Sequence, residues 1–315
     1  MSPGYAGTPV VVLGATGFIG RWVARKLCQA GARLHLIVRD AASLKHAHGV
    51  VIECDLARPD AKQFLTETFR RIRPAVVFNL AGYGVDPGDR DEQLFQALNT
   101  ELPRAIMEAA AASKAPEWPG QNVVHAGSAL EYGEARGNLA ENGPANPTTL
   151  YGKTKLEGTL AVARSDAFGL RAVTARLFTV YGPGERSGRL LPSLIAAARS
   201  GAPLKLTAGT QQRDFTYVEN VADGLLRLGA APCVPGGVVN LATGRLTSVR
   251  RFAETGGRVL GIPEENLIFG AIPTRAEEMS HEPVSIELLR SVIGVVPETS
   301  IADGIRRTLE FQMQR

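Results

Sequence analysis

The sequence predicts an α/β protein in which a doubly wound parallel sheet is followed by a smaller C-terminal lobe. Three observations carry this expectation. Short β-branched apolar runs alternate with segments of helical periodicity through the first half of the chain. A glycine-rich turn, Gly14-Ala-Thr-Gly17-Phe-Ile-Gly20, joins the first such run to the first helical segment. Beyond Gly182 the alternation weakens into short elements broken by Pro and Gly.

Pro9 to Leu13 reads as the first strand and Phe18 to Ala30 as the helix that follows it. Arg33 to Val38, Val50 to Glu53, Ala75 to Leu80 and Asn122 to His125 supply four more strands, and Arg171 to Leu177 a sixth. Helical spacing occupies Asp60 to Arg71, Asp91 to Ala112 and Tyr151 to about Ala167. Strands that alternate with helices pair in parallel and are covered on both faces. The chain therefore divides into a dinucleotide-binding domain over residues 1–180 and a mainly substrate-binding lobe over residues 181–315, with Val238 to Leu241 available as a strand returning to the first sheet.

The chain has 315 residues and a formal net charge of +4. Its Lys and Arg are scattered, with no basic block of the kind that binds nucleic acid or a membrane surface, so the surplus points to small anionic ligands. No stretch approaches the roughly 18 apolar residues of a spanning helix, and the N-terminus lacks a basic segment followed by an apolar run. A cytoplasmic protein is expected. Cys28, Cys54 and Cys233 are far apart and show no Cys-x-x-Cys or Cys/His metal spacing, so they read as reduced, buried thiols and no metal site is expected.

The glycine turn stands where a strand meets a helix, so its backbone N–H groups and the positive end of the helix dipole face whatever lies above it. A pyrophosphate suits that field. Gly14, Thr16, Gly17, Phe18, Ile19 and Gly20 are the expected cofactor contacts, with the glycines needed for the tight turn and the close approach of the phosphates. An acidic ribose ligand belongs at the end of the second strand, but that strand ends Leu36-Ile37-Val38-Arg39-Asp40. Arg39 can pair with a 2′-phosphate, which favours NADP and leaves NAD open through Asp40. Asp55 and Leu56, after the third strand, are placed to meet the adenine, although Asp55 can equally cap the next helix.

Tyr151 and Lys155 are four residues apart, one helical turn, and therefore share a face. An unperturbed phenol titrates near ~10 and is a poor base at neutral pH. A neighbouring ammonium and an oxidised nicotinamide would stabilise its phenolate. Ser128, after the fifth strand, can donate to a substrate oxygen, although a serine there can also simply cap a turn.

The glycine motif, Asn79-Leu80-Ala81-Gly82, Ser128 and Tyr151-x-x-x-Lys155 occur together and in order, and on these residues the sequence resembles the extended short-chain dehydrogenases/reductases. That resemblance implies a Rossmann-type domain, hydride chemistry on a nicotinamide cofactor, catalytic roles for Ser128, Tyr151 and Lys155, and support of the site by Asn99. It also implies cofactor contacts from Leu80, Ala81, Gly82 and Phe178, and a homodimer formed through the helices Asp91 to Ala112 and Tyr151 to Ala167. Arg176-Leu-Phe-Thr-Val-Tyr-Gly-Pro-Gly184 and Gln211-Gln-Arg-Asp-Phe-Thr-Tyr-Val218 look like the substrate loops of members that act on nucleotide sugars. They imply substrate contacts from Ser128, Thr179, Arg213 and Arg275, the arginines clamping a diphosphate.

The sugar dehydratases of that family carry Asp-Glu after the Ser/Thr, where this chain has Ala129-Leu130, so dehydration is not expected. The expected activity is hydride transfer at a sugar carbon, C4, of a nucleoside-diphosphate sugar, with a 4-ketoreductase favoured by Arg39. A 4-epimerase, a reductase of a non-sugar carbonyl compound and a dinucleotide-sensing protein without turnover are the alternatives.

Overall fold

A computed structural model describes residues 4–43, 49–84, 88–134, 137–274, 281–294 and 298–314. The first strand, β1 (Pro9–Leu13), leads through the glycine turn into α1 (Gly20–Gln29) and then β2 (Arg33–Val38) and β3 (Val50–Glu53). Next come α2 (Ala61–Ile72), β4 (Val76–Asn79), α3 (Glu92–Phe95), a π turn over Gln96–Glu101, α4 (Leu102–Ala112), β5 (Val123–Ser128), α5 (Leu150–Val162) and β6 (Ala172–Leu177). The remainder comprises β7 (Thr179–Tyr181), α6 (Leu190–Ser200), β8 (Leu204–Lys205), β9 (Gln212–Tyr217), α7 (Val218–Ala230), β10 (Val238–Leu241), β11 (Leu246–Ser248), α8 (Val249–Leu260), β12 (Leu267–Ile268), α9 (Glu287–Ile293) and α10 (Ile301–Met313).

Seven parallel strands form the main sheet in the order β10-β6-β5-β4-β1-β2-β3. Every residue of β1 is buried, because the sheet is covered on both faces. Val10 and Val12 pack with Trp22, Val23 and Leu27 of α1 and with α7, whereas Val11 and Leu13 pack with Leu65 and Phe69 of α2 and Ile106 of α4. Chain order reverses between β1 and β4, and the crevice outside their carboxyl ends is where such sheets bind ligands. A second core, built from Tyr181, Leu194, Phe215, Tyr217, Phe252 and Ile305, joins β7 and β9 to α6, α8 and α10. Among the described residues, no helix is long and apolar enough to cross a membrane.

Several elements differ from the sequence expectation. The strand expected to end at His125 runs on to Ser128, paired throughout with β6. The helix expected to reach Ala167 stops at Val162, and a separate 3₁₀ turn, Ser165–Phe168, follows, closed by Gly169 at φ +64°. Ser and Asp compete for backbone hydrogen bonds, and the glycine accepts the left-handed conformation. The tail has the expected short elements in β7, β8, β11 and β12, of two or three residues, but it also has four longer helices: α6, α7, α8 and α10 have 11, 13, 12 and 13 residues. Its internal glycines serve close packing, since a Cβ on Gly224 would stand 2.5 Å from Leu241 and one on Gly256 2.9 Å from Leu194. Cys54 is buried, but Cys28 is only half-buried and Cys233 is exposed, so the expectation of three buried thiols is corrected.

Candidate active site

Gly14 takes φ +76°, and a Cβ there would lie 2.7 Å from the backbone of Leu80 and Ala81, so β1 and β4 meet at this glycine. A Cβ on Gly20 would fall 2.0 Å from Gly14 O, which only glycine permits. At Gly17 a Cβ would meet nothing closer than Gly14 O at 3.1 Å, leaving the turn's outer side clear for a ligand. The turn therefore fits a dinucleotide pyrophosphate. Thr16 and Gly17 offer their carbonyls to the Arg21 guanidinium at 3.0 and 3.3 Å, and Phe18 and Ile19 pack on the first core. Arg39 and Asp40 are exposed at the end of β2, where Asp40 Oδ1 accepts from Ala42 N at 2.9 Å. Asp55 accepts from Ala57 N at 3.0 Å within the turn after β3 and does not cap α2, whose N-cap position is Asp60, and Leu56 packs on the second face's core.

Behind the loop after β4 stands Asn99, fully buried on the π turn. Its Oδ1 accepts from Tyr83 N at 3.0 Å, and its amide donates to Tyr83 O at 2.8 Å and to Thr154 Oγ1 at 3.1 Å. A Cβ on Gly82 would lie 3.1 Å from that Oδ1. One side chain thus ties the Leu80-Ala81-Gly82 loop to α5. A Cβ on Gly158 would be 2.2 Å from Asn99 O, so α5 also approaches the π turn closely.

Ser128 ends β5 and caps the short turn after it. Its Oγ accepts from Leu130 N at 3.2 Å, while Glu131 Oε1 accepts from Ser128 N at 2.7 Å, a reciprocal cap. Thr149 caps α5, accepting from Gly152 N at 3.0 Å. A Cβ on Gly152 would stand 2.4 Å from Leu130 O, so the start of α5 presses on the Ser128 turn and brings Tyr151 to Ser128. Lys155, one turn along, is buried and donates from Nζ to Ala126 O.

Burial pushes the Tyr151 phenol up to about 12, and the Glu131 carboxylate adds to the rise, against the hydrogen bond from Ser128 and the positive charge of Arg189. Lys155 is brought down to about 8 by burial, opposed by Glu131. The expected lowering of the phenol by Lys155 is therefore not what the chain itself provides. Its ammonium faces Ala126 O, and desolvation of Tyr151 outweighs the favourable charges.

After β6, Phe178, the expected cofactor contact, packs against His281 with ring centroids 5.8 Å apart, and Thr179, an expected substrate contact, opens β7 opposite Phe215 of β9. Arg213 lies half-buried on β9 opposite Thr247 of β11. Next to it, the buried Asp214 accepts from Thr243 N, Gly244 N and Arg245 N, at 3.0, 2.8 and 3.2 Å, and so holds the loop after β10. Arg275 lies outside the described residues.

Two charged residues near Tyr151 escaped the sequence reading. Glu131 had a readable signal, since Ser128-x-x-Glu131 is a capping-box spacing. Arg189, at the start of α6, had none; only the fold brings it near a tyrosine 38 positions earlier.

Comparison with known proteins agrees with this geometry. A dTDP-6-deoxy-L-talose 4-dehydrogenase (NAD(P)(+)) of Kitasatospora kifunensis is 32% identical over 316 residues, covering 97% of this chain and 96% of its own. A probable dTDP-4,6-dihydroxy-2-methyloxan-3-one 4-ketoreductase of Streptomyces antibioticus is 29% identical, covering 72% and 68%. The structure of MoeE5 in complex with UDP-glucose and NAD superposes with a TM-score of 0.80 at 28% identity, covering 97% and 98%. The model of the NAD dependent epimerase/dehydratase family matches residues 10–242, and with the glycine turn, the sheet order and the Ser128, Tyr151 and Lys155 arrangement in place, the chain belongs to that family of NAD(P)-dependent enzymes.

Proposed function

We propose that the protein is an NADP-dependent 4-ketoreductase acting on a nucleoside-diphosphate sugar. The observation that carries this reading is the state of Tyr151. A phenol pushed up to about 12 keeps its proton at neutral pH and serves as an acid toward a keto oxygen. A dinucleotide held over the Gly14-to-Gly20 turn would supply the hydride for the adjacent carbon.

In this reading Tyr151 gives its proton to the developing alkoxide while the Ser128 hydroxyl donates to the same oxygen, sharing the charge. Lys155 supports the cofactor side of the site beneath Tyr151, and Asn99 keeps α5 and the loop after β4 in fixed relation. Arg213, together with Arg189 beside Tyr151, supplies positive charge for a diphosphate. Exposed Arg39 at the end of β2 supports a 2′-phosphate and hence NADP. The resemblance to a 4-dehydrogenase supports C4, because dehydrogenation and ketoreduction at one carbon are the same reaction in opposite directions. A homodimer through α4 and α5 fits this reading, with Leu160 of α5 55% exposed.

A 4-epimerase is the second reading, favoured by the fit to a structure holding UDP-glucose and NAD. The test supplies a panel of 4-keto-6-deoxy nucleotide sugars with NADPH and follows the absorbance of the reduced nicotinamide. UDP-glucose and UDP-galactose are incubated separately without added cofactor. Loss of one NADPH per product supports the ketoreductase. Interconversion of the two hydroxy sugars without net oxidation replaces it with the epimerase, and silence in both assays points to a non-sugar carbonyl.

A further inference from the structure

Beneath the Ser128 turn lies a carboxylate with no access to solvent. Glu131 is fully buried, and its two oxygens accept from Ser128 N at 2.7 Å, Thr159 Oγ1 at 3.0 Å and Arg176 Nε at 2.9 Å. Arg176, 5% exposed, in turn lies 4.4 Å over the Tyr132 ring and donates to Glu141 O at 3.3 Å. A Cβ on Gly127 would stand 2.7 Å from Glu131 Oε1, so β5 is shaped to admit the carboxylate. A charge kept in the core at this desolvation cost, in contact with the residue that caps the active-site turn, has more than a packing consequence.

We propose that Glu131 is a positioning residue of the hydride-transfer site, joining β5, α5 and β6 so that its carboxylate fixes Ser128 against Tyr151 and biases the site toward proton donation. The proposal rests on the reading of Tyr151 as the proton-transfer group. Burial is the larger influence on both groups, but a carboxylate near a phenol adds to the opposition to its ionisation, and near an ammonium it favours the charged form, so one group weights both Tyr151 and Lys155 toward their protonated forms.

The other groups around Tyr151 act differently. Arg189 at the start of α6 opposes Glu131, and Ser128 hydrogen-bonds the phenol. Lys155 lies one turn along the same helix, and His125 of β5, buried and held well below its usual range by desolvation and by Lys155, stays neutral. Phe95 from the helix before the π turn brings no charge to the loop at Gly84, where a Cβ would stand 2.9 Å from Tyr151 Cδ2, and Asp89 accepts from Gly84 N in that loop.

The test compares wild type with Glu131→Gln, which keeps an acceptor and removes the charge, using whichever nucleotide sugar wild type turns over in either direction. A failed reductase assay therefore overturns the ketoreductase reading and leaves this measurement standing. With the carboxylate gone the phenol ionises more readily. The alkaline limb of keto reduction, or the onset of alcohol oxidation, is expected to move about 1 pH unit lower. Because Glu131→Gln leaves Arg176 unpaired, Glu131→Gln/Arg176→Gln is measured in parallel, with the same direction expected. Thr159→Val, which removes one hydrogen bond and keeps the charge, should leave the limb in place. A fall in kcat at all pH values with no movement of the limb in either Gln variant overturns the proposal. Loss of folding in both variants overturns it as well, since the carboxylate would then serve the fold alone.

Discussion

Trp22 Nε1 donates a buried hydrogen bond of 2.9 Å to Pro183 O, joining the helix after the glycine turn to a loop 161 residues later. The neighbouring side chain reinforces the link: a Cβ on Gly184 would lie 3.1 Å from the Arg21 guanidinium, which itself donates to Thr16 O. The helix after the glycine turn is thereby tied to the loop between β7 and α6, which under the proposed function joins the expected phosphate-binding turn to the substrate side. Replacing Trp22 by Phe keeps the apolar contact and removes the donor, at a cost of about 1 kcal/mol for the stranded carbonyl. The expected result is a rise of roughly fivefold in KM for the nucleotide sugar, with dinucleotide affinity changed much less, measured by steady-state kinetics and cofactor titration.

Tyr151→Phe removes the proton donor and little binding surface. Turnover is expected to fall by roughly 100-fold or more, while the dinucleotide still binds with near wild-type affinity by fluorescence titration. Near-normal turnover would take Tyr151 out of the mechanism.

Arg39→Asp replaces a phosphate partner with a ribose acceptor. The ratio of kcat/KM for NADPH to that for NADH is expected to fall in the variant. A wild-type enzyme that already prefers NADH would show that Arg39 does not select the cofactor.

Glu185 provides a stability test with a defined sign. Its carboxyl is pushed up to about 7 by burial, in spite of Arg189 at 3.5 Å, and its Oε2 is buried without a hydrogen-bond partner. A carboxyl raised in the folded state binds its proton more tightly there than in the unfolded chain. Its contribution is fully present below the unfolded value and is lost as pH rises through about 7. Glu185→Gln should therefore raise Tm relative to wild type at pH 8 and much less at pH 5, by the equivalent of up to ~3 kcal/mol. Equal Tm differences at the two pH values would contradict the burial of a titrating group.

Much of this molecule is legible in one dimension. Val10 to Leu13 is apolar without alternation because both faces of its strand are covered, and that run with the glycines after it announces a strand, a turn and a helix from local sequence alone. Tyr151 and Lys155 share a face by helical spacing, and Arg39 stands at the end of its strand by counting. The tail was less legible because its glycines look like breaks. Gly201 and Gly261 do end helices, but those inside the helices are buried contacts, as Gly224 against Leu241 and Gly256 against Leu194 show, and burial is a property of the fold rather than of neighbours in sequence.

The sequence by itself determined the alternating elements, the glycine turn and the spacing of Tyr151 and Lys155, because each depends on residues within one or two turns of chain. Tertiary structure decided the electrostatics of the site. Glu131 meets Arg176 across 45 positions, Arg189 reaches Tyr151 from the start of α6, and Lys155 turns to Ala126 O, 29 positions away. Charge acts through space and desolvation depends on everything packed around a group, so the state of Tyr151 follows only once β5, α5, β6 and α6 have come together.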